Sequence, residues 1–159
     1  MLKNKLKIVS AAVIFISFFL FIKFFFIGVS TQPTEGDSIH LHIPIAKSIL
    51  NGTVFQPHTA KIIEYPASSE FILAIFIFLH IPINLFNLLA IFLLFFAIRS
   101  LGISFDLSKN FALIFSFVVC ALYGLLRYVN TQKVDIWFLL FYVMSMKLLE
   151  KPEKKPYIL

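Results

Sequence analysis

The chain has one cysteine in 159 residues, Cys120, so it can form no intramolecular disulfide, and a lone thiol gives no indication of redox compartment. Charge is scarce: Asp, Glu, Lys and Arg make up 14% of the residues, against about a quarter in soluble domains. There is no HExxH or comparable ligand spacing, which argues against a zinc site. Internal repeats and low-complexity segments are also missing. The apolar runs do not alternate with polar residues, which excludes a transmembrane β-barrel.

Long apolar runs fill the space that charge leaves. Phenylalanine alone supplies 21 residues, 60% of the chain is hydrophobic, and the mean hydropathy is +0.93. Runs near the 20 or so residues needed to cross a bilayer recur along the chain. These features predict an all-α, polytopic membrane protein.

The formal charge of +6 does not point to nucleic acid, because of where the cations lie. Lys3, Lys5 and Lys7 lie before or at the very start of the first run, and Lys147, Lys151, Lys154 and Lys155 sit at or after the last. Flanking cations of this kind set membrane orientation. The first run, Leu6 to Val29, is too long for a signal-peptide core, and no A-x-A cleavage site follows it. It is read as a retained helix with a cytoplasmic N-terminus, whose Lys23 snorkels to the outer interface.

The apolar block from Phe71 to Ile98 is broken by His80-Ile81-Pro82. Phe71 to Leu79 is too short to cross alone, and Pro82 suits the start of a helix. If that piece stays in the outer interface, the cytoplasmic cations number three at the start, two in the middle (Arg99 and Lys109) and four at the end. Nine of fourteen then obey the positive-inside rule. The reading is four spans, at 6–28, 83–100, 109–127 and 135–150, in one membrane domain covering 1–159. The outer loop 30–82 carries interfacial helices at 38–50 and 68–80.

That loop holds the chain's long polar segment. With Asp37 as a helix cap and Asn51-Gly52 as the stop, Ile39, Ile43, Ala46 and Leu50 share one stripe, and Asp37, His40, Lys47 and Ser48 face away. Pro44 should kink such a helix or mark its true start. His40 and His42 lie about 200° apart around it, so the two cannot chelate one ion. Asn51-Gly52-Thr53 fits a glycosylation sequon and fits a plain turn equally well. Asp135, at the mouth of the last span, is either a cap or a working group. Under this topology Asp37, Glu64, Glu70 and Asp135 all reach the outer side, although the topology rests on lysine and arginine alone.

DSIHLHIP (37–44), NG (51–52), EYPASSE (64–70) and TQKVD (131–135) together resemble the start of the GT-C superfamily of integral-membrane glycosyltransferases. The similarity is to the group of lipid A aminoarabinose transferases and protein O-mannosyltransferases. It covers the chain from the first helix onward and rests on the order and spacing of short motifs. Leu41 departs from the usual Tyr and Ala67 from a second Pro. Such enzymes have many more spans, so the resemblance implies the N-terminal part of a larger protein, inactive alone.

It also implies a polyprenyl-phosphate sugar donor, an acceptor hydroxyl and an extracytoplasmic site in the plasma or inner membrane. Asp37 would be catalytic, and Asp135, His42, Glu64, Tyr65 and Glu70 would bind substrate. Asp37 and Asp135 should then approach one another. Whether a carboxylate takes the proton itself or holds a divalent cation is left open by the motifs. Outer cations able to meet a phosphate are few: Lys61, Arg127 and Lys133. The competing reading is a non-catalytic multi-span protein, such as a transporter fragment or assembly partner, but a transporter would place polarity at mid-membrane.

Overall fold

The computed structural model describes residues 2–53 and 68–149, and no strand forms among them. Helix α1 (Leu2–Ser30) is followed by a π-turn (Ser38–His42) that runs into α2 (Ile43–Leu50). Next come α3 (Ser68–Phe78), a 3₁₀ turn (Ile83–Leu85) and α4 (Phe86–Ser104). The last elements are α5 (Lys109–Cys120), the single turn α6 (Tyr123–Leu126) and α7 (Asp135–Leu149).

Two stretches are long and apolar enough to cross a membrane, Asn4–Ser30 and Ile83–Ser104. They coincide with the first two spans read from the sequence. Helix α1 leaves Phe18 59% and Phe26 64% exposed, surface that water would penalise and lipid would not. The third run does not stay helical over 109–127. It stops at Cys120, and Leu122 is extended (φ −59°, ψ 134°) before α6 begins. Helix α5 is therefore 12 residues, about 18 Å at 1.5 Å per residue.

Side-chain contacts fix the direction of each helix. At the start of α4, Asn87 donates to the Lys133 carbonyl just before α7. At the end of α4, Ser100 accepts from Lys147 late in α7. So α4 and α7 run parallel. Helix α5 returns beside them, with Gly102 facing Ala112. Helix α1 also runs against α4: Phe21 packs at a tilt on Phe92 at 5.7 Å, and the end of α1 meets Leu85. A Cβ added at Gly28 would come 2.6 Å from Leu85 Cδ2 and 3.2 Å from the Asn84 carbonyl, so the leucine side chain would have to move and the carbonyl give slightly at this crossing.

The core is centred on Phe86, Leu94, Ile136, Leu140 and Trp137. Phe86 packs 5.1 Å from Trp137 and edge-on to Phe76 at 6.0 Å, which seats α3 on the first turn of α4. The alternating directions bring most of the described carboxylates to one end. Lys5, Lys7, Lys109 and Lys147 lie at one end of the bundle with Asp106. Glu35, Asp37, Glu70 and Asp135 belong to the segments at the other end.

Candidate functional site

The polar end is built on amides. Asn84 Nδ2 donates to the Thr31 carbonyl (2.8 Å) and to Thr31 Oγ1 (3.0 Å), tying the exit of α1 to the entry of α4. Gln132 Nε2 donates to Asn84 Oδ1 (2.6 Å) and the Ile83 carbonyl (3.1 Å). Asn130 Nδ2 donates to the carbonyls of Phe24 (3.0 Å) and Asn84 (3.3 Å). Asn84, Asn87 and Gln132 are buried, where an unpaired amide would cost free energy. Together they hold the loop before α7 against the chain leaving α1.

The acidic cluster sits on that base. Glu35, rather than Asp37, caps the helix. Its Oε2 accepts from the Ser38 N–H (2.8 Å) and Ser38 Oγ (2.9 Å). Ser38 Oγ in turn accepts from the Gln132 N–H at 3.0 Å. Asp37 already has helical angles (φ −64°, ψ −35°) and makes no side-chain cap, which corrects the capping role expected for it. Its carboxylate projects outward instead, exposed, with Oδ2 2.9 Å from Lys133 Nζ. The same ammonium lies 3.3 Å from Glu35 Oε1.

These contacts set the charges. Burial alone would raise the Glu35 carboxyl, but hydrogen bonds from Ser38, the Asp37 N–H and Lys133 outweigh it and hold the group at about 2. The bond to Asp37, and then that to Glu35, push Lys133 up to about 12.

The helix expected over 38–50 is present but begins as a π-turn. The Ile43 N–H reaches back five residues to the Ser38 carbonyl. This widened turn falls where the Pro44 ring would otherwise press on the His40 carbonyl. It also buries His42, whose Nδ1 lies 2.8 Å from Glu70 Oε1; the two residues are 4% and 0% exposed. Ser69 Oγ donates to the other Glu70 oxygen at 3.0 Å. His42 and Glu70, both expected at the site, thus meet each other and clamp α2 to α3.

Asp135 is exposed in the first turn of α7, two residues beyond the lysine that holds Asp37. Glu64 and Tyr65 lie outside the described residues. Beside the cluster, the Arg127 guanidinium lies over the Tyr128 ring (4.3 Å) and donates to its hydroxyl, and Lys133 Nζ is 5.3 Å from the same ring.

Among the described residues, no three His, Cys, Asp or Glu side chains gather as metal ligands. Where two carboxylate oxygens converge, at Glu35 and Asp37, the Lys133 ammonium already stands between them. These residues do not fit a divalent cation. No protein-family model, curated protein or solved structure matches the chain.

The arrangement offers one exposed carboxylate with an adjacent ammonium, on a base of buried amides whose N–H groups are paired, while Asn87 Oδ1 and Gln132 Oε1 lack a partner among the described residues. The sequence reading missed Glu35, Asn84, Asn87 and Gln132. The signal for the asparagines was a pair of amides at the head of an otherwise apolar run.

Proposed function

We propose that the chain is a membrane glycosyltransferase, or the N-terminal piece of one, acting at the extracytoplasmic face on a polyprenyl-phosphate sugar. In this reading it crosses the membrane four times from a cytoplasmic N-terminus, and the polar end of the bundle faces outward. The observation that carries the reading is the exposed Asp37 carboxylate held 2.9 Å from Lys133, beside the exit of a candidate span. A group at that height meets a lipid-borne phosphate at headgroup depth.

The chemistry needs one base and one cation. The acceptor hydroxyl oxygen forms a bond to the anomeric carbon. The bond from that carbon to the phosphate oxygen breaks, and its electron pair leaves with the phosphate. Asp37 takes the hydroxyl proton. Lys133, released as Asp37 loses its charge, turns to the phosphate and stabilises the negative charge there. His42 and Glu70 act through position, fixing the helix that presents Asp37. Asp135 faces the substrate from the first turn of α7, and the resemblance assigns substrate binding to Glu64 and Tyr65, which lie outside the described residues.

The test places Asp37→Asn at the chromosomal locus and measures sugar transfer from radiolabelled polyprenyl phosphate in isolated membranes. Transfer falls about a hundredfold or more, with protein level and insertion unchanged. Unchanged transfer reduces Asp37 to an ion-pair partner of Lys133 and favours the non-catalytic reading.

A further inference from the structure

A second feature of the polar end is independent of the transferase reading. A groove of about 750 Å³ runs between the α2 segment and the turn after α3. Ile39, Ile43 and Pro44 form one wall, and Ile77 and Ile81 the other. Among the described residues its ionisable lining is Lys47 and His80, and no described carboxylate lines it. Both are exposed, and neither is in an ion pair with a described residue.

The groove's height is fixed by the helices beneath it. Gln32 and Pro33 line it two and three residues after the first candidate span ends at Ser30. Ile83, also in its lining, is the first residue of the second candidate span. An apolar floor under a basic rim, where two spans leave the hydrocarbon, complements an anionic amphiphile lying along the interface. The His80 backbone fits this role too. It takes φ 56° as the left-handed residue ending α3, with the Ile81 N–H bonded to the Phe76 carbonyl, and this turn carries both His80 and Ile81 of the groove lining.

We propose that this groove binds an anionic phospholipid of the surrounding membrane. Lys47 and His80 meet the headgroup phosphate, and the isoleucine walls hold the upper acyl chain. The site anchors the α2–α3 layer to the bilayer surface at a fixed depth.

The test uses the full chain reconstituted in an equimolar mixture of phosphatidylcholine and phosphatidylglycerol, extracted in mild detergent and weighed by native mass spectrometry. Wild type retains phosphatidylglycerol in preference to phosphatidylcholine. Lys47→Gln lowers that preference about fivefold. His80→Asn, which keeps the left-handed turn, lowers it further in the double variant. Lys109→Gln, at the other end of the bundle, leaves it unchanged. Far-UV circular dichroism verifies that each variant is folded. Equal retention by wild type and double variant overturns the proposal. So does displacement of the lipid by inorganic phosphate alone, which marks a bare anion site. Preferential retention of an added polyprenyl monophosphate reassigns the groove to the sugar donor and likewise overturns it.

Discussion

Glu35 is the residue on which the acidic cluster turns. It caps the helix, receives the Ser38 hydroxyl and shares Lys133 with Asp37. Replacing it with alanine removes the cap, worth about 1 kcal/mol at such a position. The pH dependence has a defined sign. The folded carboxyl is depressed from 4.5 to about 2, so its contribution is full above 4.5 and is lost as pH falls toward 2. Lys133 is raised from 10.5 to about 12, so its contribution is full below 10.5 and is lost as pH rises toward 12. Unfolding in detergent across this range should show wild type weakening at the acid limb and Glu35→Ala flat there. An identical acid limb in the variant assigns the effect to another group. The sequence pointed to Asp37 because an aspartate before an apolar stripe is the common capping pattern. Glutamate has one more methylene, and across Gly36 it reaches the Ser38 N–H from one turn earlier. Residue spacing alone does not distinguish the two.

At the scale of elements, the His42–Glu70 pair joins α2 to α3. Both partners are buried, so removing one strands the other. His42→Ala should cost about 3–5 kcal/mol, and a double variant with leucine at both positions should recover most of it. Denaturant unfolding of the two variants checks this; a single-variant cost below about 1 kcal/mol would show that the clamp is slack. The elements themselves were unevenly legible. The His80-Ile81-Pro82 interruption separated α3 from α4 correctly, because proline cannot donate within a helix and a left-handed residue ends one. The break after Cys120 was not legible, since apolar residues continue through Leu122 with no proline or polar residue at the break. The amide base was hidden for another reason. Asn84, Asn87, Asn130 and Gln132 carry no periodic signal, and their meaning comes from meeting across as many as 106 residues of chain.

At the scale of the whole molecule, alternating helix directions separate an end with Lys5, Lys7, Lys109 and Lys147 from one that gathers Glu35, Asp37, Glu70 and Asp135 together with Lys47, Arg127 and Lys133. From lysine and arginine positions the sequence put Asp37, Glu64, Glu70 and Asp135 on one side of the membrane; packing brings Asp37, Glu70 and Asp135 to one end of the bundle, and Glu64 lies outside the described residues. In the proposed reading the acidic end is extracytoplasmic, which the transferase chemistry requires. Cysteine labelling in intact cells tests it directly. The background is Cys120→Ser, which leaves no native thiol. Reporters are Gly36→Cys, where an added Cβ meets nothing within 4 Å, and the exposed Asp135→Cys, with Lys7→Cys and Lys109→Cys marking the basic end. A membrane-impermeant maleimide added outside should label positions 36 and 135 and leave 7 and 109 protected until the membrane is opened. Labelling of 36 and 135 on opposite sides, or of 7 and 109 from outside, would contradict the account.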